Sequence, residues 1–197
     1  EFLQALHMPE DGFLVMYHGG LMPARGIEQL LEVAVINDRI GLVVLGNGMD
    51  GYVSSLKQFV QEKGITGRVL FHPAVPHKEL WKYVGATDVG MVVLQNVCMN
   101  HYYTLPNKFF ENIQSLTPVI CSDFPEVGKL TAAYGIGLTC DSASVADING
   151  KIERMRTDRE FYQSCKQNLL KAKEELCWER EKEKLVDAYQ QMLQRLS

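Results

Sequence analysis

The sequence predicts an α/β protein: a Rossmann-like, doubly wound parallel sheet of about six strands, followed by a C-terminal helical tail. Three patterns predict it. Short aliphatic runs alternate with longer segments of helical period as far as residue 140, the signature of successive βα units. Most of those runs are apolar on both faces, as strands covered by helices on either side must be. Beyond residue 140 only helical periodicity continues.

The strand-type runs, in order, are "FLVMYHG" (13–19), "GLVVLG" (41–46), "RVLFH" (68–72), "DVGMVVL" (88–94), "TPVICS" (117–122) and "IGLTC" (136–140). Between the first two, "GIEQLLEVAVI" places Ile27, Leu30, Leu31 and Ala34 on one helical face. "YVSSLKQFVQEKG" does the same with Val53, Leu56, Phe59 and Val60, and Gly64 and Gly67 punctuate its end. "HKELWKYVG" and "LPNKFFENIQSL" supply the next crossovers. Three helical segments complete the chain, beginning at "SVADING", "DREFYQS" and "CWEREKEK". No repeat or linker interrupts this series, so residues 1–197 read as one domain, with a βα core over 1–140 and a helical tail over 141–197.

Composition narrows the class. The chain is 46% hydrophobic and 22% charged, as in ordinary globular proteins. No apolar run approaches the ~20 residues that span a bilayer. With 20 Lys and Arg against 24 Asp and Glu the net charge is -4, which gives no general attraction for nucleic acid. The five cysteines form no CxxC pair, so neither a zinc site nor a disulfide framework is indicated, and a reducing cytoplasm is expected. The opening Glu1-Phe2-Leu3 reads as the middle of a helix, so the chain is expected to be part of something longer.

In a doubly wound sheet ligands sit beyond the carboxyl ends of the strands, so the loops after the strands carry the functional question. The first, "HGGLMPARG", offers Gly19 and Gly20 for a tight turn and Arg25 at the start of a helix, where a cation pairs with phosphate oxygens. A plain turn with an exposed Arg fits the same residues. The second, "LGNGMDGY", shows only a cap for the next helix, from Asn47 or Asp50. The third, "FHPAVPHKELW", is stiffened by two prolines and carries Val75 and His77. No Asp or Glu is expected where it would hold His72 or His77, so neither is read as a metal ligand or general base.

The fourth loop leads into "LPNKFFE". Pro106 is placed in the first helical turn, and the N–H groups of Asn107, Lys108 and Phe109 are expected to point outward with the positive end of the helix dipole. Glu111 then stands close enough to accept hydrogen bonds from a ribose diol. An exposed i,i+3 pair between Lys108 and Glu111 is the equal alternative. The first loop lacks the GxGxxG spacing of nicotinamide dinucleotide sites.

Together these segments resemble the C-terminal, nucleotide-sugar-binding half of GT-B glycosyltransferases, most closely glycosyltransferase family four (group 1). "YHGGLMPARGIEQLL" resembles that family's Gly-Arg-Leu…Lys-Gly segment, and "VLFHPAVPHKELWKYVGATDVGMVVL" its Val-x-Phe-x-Gly-x-Val segment. "TLPNKFFENIQSLTPVICSDFPEV" resembles its Pro-x-Lys-x-x-Glu…Pro-Val segment, and "CWEREKEKLVDAY" its closing helix. The resemblance implies that Arg25 meets the donor diphosphate, Glu111 the ribose, and Val75 with His77 the base. It implies that Pro106, Asn107 and Lys108 receive phosphate or donor sugar, beside Gly19 and Gly20.

Three departures stand out: Gly20 where the family often has Arg, Tyr103 where it has the first Glu of a pair, and Pro73 for a glycine. Gly20 removes one diphosphate cation, Pro73 stiffens the base loop, and Tyr103 leaves the donor sugar open. By resemblance the whole enzyme retains anomeric configuration, needs no metal or other cofactor, and uses an N-terminal domain of the same polypeptide. It would carry a hexose-type sugar to a carbohydrate or lipid-linked acceptor in bacterial surface polysaccharide synthesis, at the cytoplasmic face of a membrane. The catalytic residues would lie in the other domain. A sugar-nucleotide epimerase of the same architecture and a non-catalytic nucleotide-binding module are the alternatives.

Overall fold

All six strand-type runs enter one parallel sheet. A computed structural model of the protein describes residues 6, 7 and 12–196, so the expected helix at Glu1–Leu3 lies outside the described residues. The strands are β1 (Phe13–His18), β2 (Ile40–Leu45), β3 (Val69–His72), β4 (Val89–Val92), β5 (Val119–Ser122) and β6 (Gly137–Cys140). The helices are α1 (Ile27–Ile36), α2 (Asp50–Glu62), α3 (His77–Val84), α4 (Met99–Tyr102), α5 (Asn107–Gln114), α6 (Pro125–Tyr134), α7 (Val145–Thr157), α8 (Arg159–Glu175) and α9 (Trp178–Leu196). Strand order is β3-β2-β1-β4-β5-β6, every pairing parallel. The chain therefore reverses direction across the sheet between β1 and β4, the switch point beside which open α/β sheets take their ligands.

Alternate residues of each strand face opposite sides of the sheet. Val15, Tyr17, Leu42, Val44, Met91 and Val93 pack under α1, α2 and α7. On the other face Met16, Val43 and Leu45 meet Val84 of α3, while Val92, Val119 and Cys121 meet α5, α6 and α8. Each aliphatic side chain so enclosed contributes about 1.5–3 kcal/mol. β2 is buried along its whole length, which explains a run without a polar residue.

Capping chemistry sets several helix bounds. Ser144 accepts a hydrogen bond from the Asp147 N–H at the start of α7, and Asp158 one from the Phe161 N–H at the start of α8. The hydrophobic pattern does not announce α6. It is delimited instead by Pro125 in its first turn and Gly135 at φ 60° after its last. α4 is a single turn inside the long fourth loop. α7 and α8 bury Ile148, Ile152, Met155, Cys165, Leu169 and Ala172 against the sheet layers. α9 leaves Leu185, Val186, Tyr189 and Met192 exposed. Among the described residues no helix is long and apolar enough to cross a membrane.

Candidate functional site

The site grows from the end of β1. The Gly19 N–H donates to the Leu45 carbonyl, the Gly46 N–H to the His72 carbonyl, and the Leu21 N–H to the Asn47 carbonyl, each at 2.9 Å. These bonds lace the loops after β1, β2 and β3 into one surface. At Gly46, φ is 152° and a Cβ would run into the Gly19 carbonyl oxygen, so glycine is required there. Tyr17, fully buried, donates its hydroxyl to the Gly20 carbonyl at 2.7 Å and pins the first loop from below. Burial pushes its phenol pKa up, opposed by Arg25.

Lys108 lies across that tyrosine. Its Nζ is 3.7 Å from the Tyr17 ring centroid, and the residue is only 7% exposed. Among the described residues no carboxylate comes within ion-pair distance of Nζ, so the alternative of an exposed Lys108–Glu111 pair is set aside. Burial brings the Lys108 pKa down to about 7; the neighbouring Arg25 adds to that shift and Glu111 opposes it. Arg25 is half-buried between Ala24 at φ 63° and Gly26 at φ 77°, a left-handed pair that turns the loop into α1. A guanidinium and an amine that readily gives up its charge thus stand close together, and among the described residues no carboxylate pairs with the amine.

α5 adds backbone donors. Pro106 is its N-cap, one position earlier than expected, and the Phe109 N–H is already bonded to the Pro106 carbonyl at 2.9 Å. The donors left without a partner among the described residues are therefore those of Asn107 and Lys108, two and not three. α5 is two turns long, and its buried face carries Phe109, Asn112 and Ile113 into the core, so this N-terminus is rigidly aimed.

Glu111, one turn further in, is held by two histidines. His18 Nε2 is 3.1 Å from one carboxylate oxygen and His77 Nε2 is 3.2 Å from the other. The sequence-based expectation that no carboxylate serves His77 is corrected: α3 and α5 pack side by side and bring Glu111 to it. Burial alone would raise the Glu111 pKa, but the hydrogen bonds and charge of His18 and His77 outweigh it and hold the carboxyl below its usual value. His18 is buried with its Nδ1 unpartnered among the described residues. Sequence reasoning missed His18, although a lone histidine ending a wholly apolar strand was a visible signal.

The remaining expected residues divide. Gly19, Gly20, Arg25, Asn107, Lys108, Glu111 and His77 line one end of β1 and α5. Val75, in the third loop, turns its side chain to the core cluster of Met16, Val43 and Val84, which leaves its backbone for any contact outward. Asn47 does not cap α2, whose N-cap is Met49; its Oδ1 accepts the Ala74 N–H at 3.0 Å and braces the third loop. Tyr103 is exposed and stands edge-on to Tyr102. Among the described residues no group of three His, Cys, Asp or Glu is placed to hold a metal.

Residues 1–172 match the family described as glycosyl transferases group 1. Among solved structures, sucrose-phosphate synthase from Thermosynechococcus elongatus superposes with a TM-score of 0.84 at 21% identity, over 98% of this chain and 49% of that one. Anabaena HepE in complex with UDP gives a TM-score of 0.71 at 15% identity, over 86% of this chain and 49% of that one. The C-terminal domain of the group 1 glycosyl transferase LpcC from Francisella tularensis gives 0.68 at 16% identity, over 86% of this chain and 89% of that one. At these identities the structural likeness is one of fold. The chain spans about half the length of the first two of these proteins. No curated protein matches it in sequence.

Proposed function

Because the chain belongs to the glycosyl transferases group 1 family, we propose that it binds the nucleotide diphosphate of a sugar donor at the end of β1 and the start of α5. The observation that carries this reading is Lys108: a cation almost fully buried beside a second cation, Arg25, with no acceptor of its own among the described residues. Such an arrangement costs stability unless an anion arrives. A diphosphate fits, with the Arg25 fork and Lys108 Nζ on its oxygens and the Asn107 and Lys108 N–H groups completing the cradle. Glu111 would take the ribose hydroxyls, and the loop bearing Val75 and His77 the base. HepE, a protein of like fold, holds UDP, which makes UDP the first candidate.

In the reaction proposed, negative charge builds on the departing diphosphate as the sugar leaves it. Fixed cations and helix N–H groups aimed at that charge stabilise the transition state more than the ground state. Two fixed cations do the work a bound metal would do, so transfer without a metal is expected. The chain would be the donor half of a retaining enzyme, with an N-terminal domain supplying the acceptor side. A hexose-type sugar and a role in bacterial surface polysaccharide synthesis remain part of this reading; WaaG, a glycosyltransferase of like fold, is involved in lipopolysaccharide biosynthesis, which supports the latter.

The test is calorimetric titration with UDP, GDP and ADP, with and without Mg²⁺. Saturable, metal-independent binding of one of them, weakened in Glu111→Ala with an unchanged melting curve, is expected. Arg25→Ala is expected to weaken the diphosphate by roughly ten- to a hundredfold, the worth of one charged hydrogen bond, and to leave the bare nucleoside alone. Equal losses for nucleoside and diphosphate would place Arg25 away from the phosphates.

A further inference from the structure

Glu111 is gripped by two histidines of opposite character. The His18 side chain is 2% exposed and that of His77 83% exposed, yet each brings Nε2 to its own carboxylate oxygen at 3.1 and 3.2 Å. A carboxylate only accepts, so each imidazole donates through Nε2. His18 is enclosed at the carboxyl end of β1, a central strand, and cannot leave without opening the packing there; it is a positioning residue that fixes one oxygen, Oε2, toward the core. His77 stands at the first position of α3 with its ring in solvent, and Glu111 is its one partner among the described residues. The outward oxygen, Oε1, is therefore occupied from the solvent side.

We propose that His77 is a displaceable, proton-sensitive latch on the nucleoside end of the site: it covers Glu111 Oε1 in the free protein and yields that oxygen to a ribose hydroxyl. The proposal rests on the nucleotide-binding reading above. Its logic is competition for one acceptor. An exposed pair of this kind is weak enough to be exchanged, and protonation of the imidazole adds charge to the hydrogen bond and tightens it. Histidine is the side chain whose charge changes between about pH 5 and pH 8. Acid therefore closes the latch and raises the barrier to nucleoside entry. The groups facing Glu111 are His18 from β1, His77 from α3 and Lys108 from its own helix, with Arg25 and Tyr17 acting on Lys108 from the first loop and β1.

Because Lys108 also senses pH, the probes should lack phosphate. Uridine, guanosine and adenosine would be titrated into the wild type, His77→Ala and His77→Gln from about pH 5.5 to about pH 8.5. In parallel, imidazole nitrogen NMR spectra would compare the wild type with Glu111→Gln at one pH. The expected result is wild-type nucleoside affinity that rises about two- to fivefold with pH, a slope flattened in both variants, and tighter binding by His77→Ala at the acid end. The His77 Nε2 resonance should shift in Glu111→Gln. Parallel pH profiles in all three proteins, with nucleoside bound, would overturn the latch and leave the nucleotide site standing. No nucleoside bound by any of them would overturn the function proposed above. The NMR arm then judges the contact alone, and an unmoved His77 Nε2 resonance in Glu111→Gln would overturn that too.

Discussion

At the scale of single residues, Lys108 shows how function and stability oppose each other. Its pKa falls from the usual 10.5 to about 7 because burial disfavours the ammonium. The unfolded chain therefore binds more protons than the folded one between those values. Stability on this account rises with pH across that window: the destabilisation is complete below about pH 7 and gone above about pH 10.5. Lys108→Met, which keeps the shape and removes the charge, should raise stability at pH 6 by about 1–4 kcal/mol, as replacing buried charge with packed apolar groups does. The gain should shrink toward pH 10, and diphosphate affinity should fall. A melting series at both pH values decides this; an equal gain at both would mean that Lys108 is neutral throughout or solvated. Diphosphate binding at pH 8 should also take up a proton, visible as a calorimetric enthalpy that depends on the buffer.

At the scale of elements, the site depends on turns that have no room to vary. Gly26 caps α1 at φ 77°, and a Cβ there would press into the carbonyl and side chain of Val93, the residue that follows β4. That loop is tied to the fourth by the Gln95 N–H on the Ala24 carbonyl at 3.0 Å. Gly26→Ala should thus cost about 1–3 kcal/mol in backbone strain alone. It should also displace Arg25, so that diphosphate binding weakens more than nucleoside binding. A variant with native melting and native affinity would show that the switch point between β1 and β4 yields more easily than its packing indicates. Gly90 makes the same point in β4: a Cβ there would meet the buried Asn112 side chain of α5, so the approach of helix to strand is set by a missing methyl.

At the scale of the whole molecule, the core closes with α8. α9 exposes Leu185, Val186, Tyr189 and Met192 and, among the described residues, places none in the three core clusters. A chain ending at Leu176 should therefore melt within a few degrees of the full one, a shift below about 1 kcal/mol for a domain of this size. A collapse of the transition would show that α9 supports the sheet after all.

Much of this architecture was legible in the sequence. The six strand runs follow from short stretches apolar on both faces, as strands covered by helices on either side must be, and the helices α1, α2, α3, α5, α7, α8 and α9 from periodicity, because burial on one face of a helix repeats every 3.6 residues. The "LPNK" start of α5 and the Arg25-Gly26 turn were legible for the same local reason. What periodicity gives is the side of its own element on which a residue lies. Which other element comes to that side is decided by the strand order β3-β2-β1-β4-β5-β6, set by pairing between distant segments. Only that order brings His18 to Glu111 across 93 residues and Asn47 to Ala74 across 27, and seats Lys108 on Tyr17 with its charge shut away from water.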